Sequence, residues 1–371
     1  MMRRIILIIL LFATLPAMSA DLAADSCGAR RDSSAFAELP WYKQLLANNF
    51  NINDQRIHYP KFAKFCVDVY NWGDRTFNTY DTTYVVGTGK NWKVMLKSFN
   101  WMESYSMYFS ADSYLRMHSN LHSDLGAYLC FMAVSAGYTG NLNALAAGTK
   151  SRRNTFNFNF CCALFSATIN YAKTSGGTKI THFGDYDRHH LNYKFDDVAQ
   201  KTLTGAIYYF FNHSKYSQSA AYSFSKYQLK SAGTWIAGLS FSHQNISMDF
   251  NSLPQDMTAH LPNLHQQYYF HYTDYDILGG YAYNWVIRPK KWLVNVTAMP
   301  SLGYKHAYEG TTDGKKHMFS GNGRLMLSGV YNHRSLFAAL QANVEGHFYF
   351  AKGYTFVNSI ESLSLIVGAR F

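Results

Sequence analysis

The chain has 371 residues, of which 48% are hydrophobic, 17% aromatic and only 15% charged, with a formal net charge of +11. Ordinary soluble domains carry roughly 25% charged residues, so this composition argues against a soluble enzyme. After the first fifteen residues no run of 18 apolar residues occurs, which also excludes a protein built on transmembrane helices.

The N-terminus reads as an export signal. Met1-Met2-Arg3-Arg4 is a short basic start, Ile5 to Leu15 is apolar apart from Thr14, and Pro16-Ala17-Met18-Ser19-Ala20 supplies a breaker and small residues. This three-part order is that of a secretory signal peptide, with cleavage expected after Ser19 or Ala20. Cys27 follows Asp25 and Ser26, too far from the apolar stretch to read as a lipidation site. Loss of Arg3 and Arg4 leaves a mature charge of about +9, which suits anionic lipid head groups or lipopolysaccharide phosphates. Nucleic acid is not an expected partner of an exported chain. Of the five cysteines (27, 66, 130, 161 and 162) the number is odd and the spacing fits no metal framework.

Residues 21–40 read as a leader, and two helical candidates follow. One is "WYKQLLANNF" (41–50). The other is "PKFAKFCVDVY" (60–70), where Phe62, Phe65, Cys66, Val69 and Tyr70 share a helical face. Asn71-Trp72-Gly73 is the expected stop. A periplasmic position is expected for this segment.

From about residue 90 the hydrophobic period changes from 3.6 to 2. Expected strands are 91–98, 104–117, 122–138, 155–172, 194–212, 219–229, 233–249, 267–287, 291–308, 316–332, 335–350 and 357–371. Twelve is even, as for outer-membrane barrels. "RPKK" (288–291) and "NHRS" (332–335) read as periplasmic turns, while 250–266 and 309–316 read as outer loops. Residues 173–193 are long for the periplasmic side, so either they are an insertion or a strand pair is missing. Strand 335–350 is clearest: Leu336, Ala338, Leu340, Ala342, Val344, Phe348 and Phe350 share one face, and Gln341, Asn343, Glu345 and His347 the other. In lipid, strands survive only in a closed sheet. The expected fold is therefore all-β, a transmembrane antiparallel up-and-down β-barrel over 91–371. The expected divisions before it are a signal over 1–20 and a leader with a short helical segment over 21–90.

Two stretches, "DVYNWGDRTFNTYDTTYVVGTGKNW" (68–92) and "YYFFNHSKYSQSAAYSFSKYQLKSAG" (208–233), resemble a bacterial outer-membrane family known as domain of unknown function 4421. The resemblance implies an outer-membrane barrel and supplies no catalytic or ligand residues. The closing stretch "SLSLIVGARF" alternates and ends on Phe371. By the same resemblance it is expected to be the strand recognised by the barrel assembly machinery.

Candidate chemistry is sparse. "GTGKN" (87–91) lacks the spacing of a phosphate loop and reads as a turn. "DYDRHH" (185–190) and the pair His118 and His122 could hold a metal but read as a loop and a turn. Asp74, Arg75 and Asp81 read as an ion-paired cap on the barrel base, with a docking surface as the alternative. The lumen is richer. By parity Asp274, Asp276, Asn295, Lys305, Arg324, Gln341, Asn343, Glu345 and His347 point inward from four adjacent strands. The binding candidates are Asp274, Asp276, Lys305, Arg324, Glu345 and His347. No cofactor and no metal are expected.

A barrel of twelve strands lies between the filled and the open sizes. The leading reading is a structural or binding scaffold, or a narrow channel, with a charged and largely plugged lumen. The alternative is a lipid-acting hydrolase of phospholipase or lipopolysaccharide deacylase type, with His347 as base and Ser320 or Ser301 as nucleophile. A surface receptor using loops 139–154, 250–266 and 309–316 ranks last.

Overall fold

A computed structural model describes residues 39–48, 51–90, 92–131, 134–141, 152–186 and 191–371, with side chains left out over 131–155. The expected signal peptide, Cys27, most of the leader and residues 187–190 of "DYDRHH" lie outside the described residues. The chain parts into two compact units between Trp72 and Gly73. The first contains α1 (Trp41–Ala47) and the start of α2 (Lys61–Phe77). Helix α2 runs through the expected stop, because a single Gly73 costs only about 1 kcal/mol inside a helix. Within the first unit, Arg56 Nη2 pairs with Asp54 at 2.6 Å and Tyr59 donates to Ile52 O at 3.1 Å.

The second unit is antiparallel β-sheet. Its strands are β1 (Val85–Gly87), β2 (Trp92–Tyr108), β3 (Tyr114–Ser119), β4 (His122–Phe131), β5 (Val134–Asn141), β6 (Arg152–Cys161), β7 (Phe165–Ser175), β8 (Thr178–Phe183), β9 (Tyr193–Phe195), β10 (Val198–Phe210), β11 (Lys226–Gln228), β12 (Ala232–Asp249), β13 (Gln267–Arg288), β14 (Trp292–Ala307), β15 (His317–His333), β16 (Leu336–Phe350) and β17 (Thr355–Arg370). Two short helices interrupt them, α3 (Gln218–Tyr222) and α4 (Gln255–Thr258).

The ladder runs β5-β4-β2-β17-β16-β15-β14-β13-β12-β10-β7-β6. Strand β3 pairs with β2 beyond β4, so the two share one place in the wall. The β8-β9 hairpin hangs on β3. The wall therefore has about twelve strand positions, and the first and last in ladder order, β5 and β6, are consecutive in the chain. The last six expected strands match closely. Of the earlier ones 194–212 contains β10, and the others depart further. Residues 91–98 and 104–117 are mostly one strand, β2, followed by β3. The stretches 122–138 and 155–172 each hold two strands, β4 with β5 and β6 with β7. Before 173–193 the wall thus holds five strand positions where four strands were expected, and 219–229 supplies none. The stretch 173–193 contains β8 and lies at the end opposite the short turns.

Alternation decides what faces where. Outward-facing Trp235, Leu239, Ile277, Leu302, Leu325, Leu340, Val344, Leu363 and Leu365 are all exposed. An apolar exterior on a sheet with a filled interior is the pattern of a membrane barrel. Trp285 and Trp292 are exposed beside the 289–291 turn, and Trp292 packs 4.6 Å from Tyr331. Amphipathic rings at that level suit a membrane interface.

Candidate functional site

The lumen is filled in layers. At the short-turn end, the expected strand 219–229 is instead a re-entrant segment. After Phe210 the chain turns inward, forms α3 and returns to β12 through β11, which pairs with β1. Its Ala, Tyr and Phe residues were expected in a strand of the wall. They pack inside, where Ala220, Ala221 and Phe224 meet Leu293, Val330, Phe337, Ala339 and Ile366 of the wall. Ser217 caps α3 through Ala220 N.

The wall then bonds the carbonyls that end this helix, which have no partner within it. Ser328 Oγ donates to Ala221 O at 2.7 Å, Lys93 Nζ donates to Ser223 O, and Arg370 Nε donates to Phe224 O at 2.8 Å. Phe224 follows the helix with φ +59°. That left-handed conformation is rare for a bulky side chain, and here its ring is held 4.9 Å from Phe337. Asn284 donates to Ser217 O at 3.0 Å, and Tyr222 donates to Asn295 Oδ1 at 2.7 Å. Neither Lys93 nor Arg370 was among the expected functional residues. The alternation places both inward, but only the plug explains why cations sit there.

The expected lumen residues come together further along. Cross-strand register puts Asp274 opposite Lys305 and Arg324 opposite Glu345. Opposite charges in such positions attract. Lys305 pairs with Asp274, both completely buried, and its ammonium lies 3.7 Å from the Tyr272 ring centre. Arg324 Nε bonds Glu345 Oε1 at 2.7 Å. Asp276 sits opposite Gly303, where a Cβ would come within 2.7 Å of its carboxylate, so glycine makes the room. Asn322 Nδ2 donates to Asp276 Oδ2 at 2.6 Å, and Ser301 Oγ does so at 3.3 Å. Asn322 was not foreseen.

His347 is 7% exposed, and neither ring nitrogen has a hydrogen-bond partner among the described residues. It borders a cavity of about 50 Å³ together with Asp276, Arg324, Glu345, Asn322, Ser301 and Ser242. A water needs roughly 10–15 Å³ of such space. The cavity has room for a few waters and none for a lipid or a sugar. Neither Ser301 nor Ser320 hydrogen-bonds His347; Ser301 binds Asp276 and Ser320 accepts from Asn322.

Beyond this cluster the lumen is aromatic. Phe270 stacks on Phe356 at 4.3 Å, beside Tyr272 and Tyr349, and the loop residues Phe250, Leu253, Met257 and Leu261 close over them.

The other candidates disperse. His118 lies outward on β3 while His122 lies inward, stacked on Trp101 at 4.5 Å. Asp185 bonds His260 at 2.7 Å. Asp81 Oδ1 accepts from the Thr83 hydroxyl and amide at 2.8 and 2.9 Å. Cys66, Cys161 and Cys162 are free thiols.

A family model described as "Domain of unknown function (DUF4421)" matches residues 79–371, the whole wall and its plug. The chain belongs to the DUF4421 family. No curated protein sequence matches this DUF4421 chain. Among solved structures it is similar to the outer membrane protease OmpT from Escherichia coli, at 9% identity and TM-score 0.35 over 77% of this chain and 98% of that one. The translocator domain of autotransporter NalP from Neisseria meningitidis gives 8% and 0.30, over 84% and 96%. The CymD monoaromatic hydrocarbon channel gives 9% and 0.26, over 76% and 89%. Likenesses this distant say nothing about what the DUF4421 chain does.

Proposed function

We propose that this protein is an outer-membrane barrel that works as a closed scaffold and not as an open pore. The observation that carries the reading is the re-entrant segment 211–231, bonded to the wall through Ser328, Lys93 and Arg370 at the C-terminal end of α3. Behind it stand an ion-paired layer and an aromatic layer, and the cavity beside the ion pair has room only for water.

In this reading the signal peptide is removed near Ser19 or Ala20 and the barrel inserts in the outer membrane. The short turns face the periplasm. The assembly machinery takes up β17 through Phe371, whose backbone exchanges two hydrogen bonds with Trp92 of β2 at 3.0 and 3.1 Å. The exposed apolar belt supports membrane residence.

The test is fractionation of cells expressing the full chain, followed by swelling of liposomes that contain the purified protein in a small sugar. The reading expects outer-membrane recovery, a heat-modifiable barrel and no sugar-driven swelling. Swelling at a rate that rises with protein content would overturn it.

A further inference from the structure

The outer wall carries one arrangement that neither the scaffold nor the lumen explains. On β7 the outward side chains are Phe165, Ala167, Ile169 and Tyr171, and then Lys173. On β10, read toward the same end, they are Tyr209, Ile207, Gly205 and Leu203, and then Lys201. Both strands change from apolar to cationic at the same level. The register puts the two lysines directly opposite each other.

Like charges facing each other across a ladder are destabilising. Both lysines are exposed, and among the described residues neither has an ion-pair partner. The carboxylates at these strand ends are engaged elsewhere. Asp249 accepts from Asn251 and Gln267, Asp197 from Ser252, and Asp196 pairs with Lys194 at 3.0 Å.

The row continues with polar donors. Lys201 faces Asn245, and Asn245 faces His271. His271 is stacked 4.4 Å from the Tyr308 ring and lies 5.2 Å from His243. One row nearer the apolar belt stand Tyr171, Leu203 and His243. A cationic row just past the end of an apolar belt lies where lipid phosphates lie. Long lysine stems reach such groups while their carbons stay on apolar surface.

We propose that Lys173 and Lys201 form a contact site for the phosphate of an anionic membrane lipid, flanked by Asn245 and His271. The proposal rests on the barrel being embedded in a membrane. A lipid phosphate between the two ammonium groups relieves their repulsion by charge-assisted hydrogen bonds. The lipid belongs to the leaflet at the rim that carries loop 250–266, and the diphosphorylated glycolipid lipid A is the probe of choice.

The experiment is native mass spectrometry of the full chain in neutral detergent with diphosphoryl lipid A, or with diacylglycerol as the uncharged comparison. The wild type should retain lipid A and not diacylglycerol. K173Q/K201Q should lose roughly tenfold or more of the bound fraction, since each lysine near an anionic surface adds on the order of one cation's attraction. K173R/K201R should retain it. Equal retention by K173Q/K201Q overturns the site. Displacement of lipid A by excess inorganic phosphate overturns the assignment to a lipid. Heat-modifiable migration of each variant checks folding. Failure of the wild type to fractionate with membranes would instead contradict the barrel reading.

Discussion

Lys93 and Arg370 face each other across the β17–β2 ladder, and both end on neighbouring carbonyls of the plug, Ser223 O and Phe224 O. One residue opens the first long strand and the other closes the last. The guanidinium is 2% exposed, also bonds Asn332 Oδ1 at 2.7 Å, and packs 4.4 Å from the Phe337 ring centre. The plug can be held this way only after the two strands have paired. Hydrogen bonds involving charged groups contribute about 1.5–3 kcal/mol each. K93M/R370M should therefore release the segment. Ser219 is buried beside Cys161, so with the five native cysteines replaced by alanine S219C should resist a maleimide and S219C/K93M/R370M should react. Equal protection in both would show that the cations do not hold the plug.

The Lys305–Asp274 pair predicts a second result. Removing one member of a buried pair costs about 3–5 kcal/mol, whereas replacing both with apolar residues is often neutral. K305M should lower the denaturation midpoint of the barrel strongly. K305M/D274L should recover most of that loss. Additive losses in the double variant would contradict the pairing.

His347 predicts a smaller effect. Among the described residues its ring has no hydrogen-bond partner, so replacement by an apolar ring forfeits none there. H347F should leave the midpoint unchanged or raise it. A fall of more than about 1 kcal/mol would mean that the imidazole is held by water in the cavity beside it.

Asp81 gives a pH dependence at the base of the barrel. The Thr83 hydroxyl and amide hold its carboxyl below the usual range, with Lys215 and Lys230 adding to the effect. A depressed folded value stabilises the folded clasp above the unfolded value, about 3.9. That stabilisation is lost as pH falls through the lower, folded value. A spin label at Thr88, beside β1, should gain mobility as pH drops below about 4. In D81N the mobility should be already raised and flat with pH.

The sequence made the lumen legible where the period of two is unbroken. Along β13 to β16 the alternation placed Asp274, Asp276, Lys305, Arg324, Glu345 and His347 on the inner face, and the register brings them together. It failed at 211–231, because the buried middle of the re-entrant segment, with Tyr216, Ala220, Ala221 and Phe224, carries the residues of a short strand. It also failed over 91–138. There β2 alone spans what was divided between two expected strands, and a break at Asn120 shifts the inward parity from Ser119 to His122. Lys93 and Arg370 fell silent with it, since a lone inward cation has no meaning until its carbonyl partner is in place.

Closure of the lumen is tested most directly by single-channel recording of the full-length protein in a planar bilayer, wild type beside K93M/R370M. The wild type should show no steady conductance, and the variant should open in discrete steps. Stable ohmic conductance from the wild type would contradict the closed barrel.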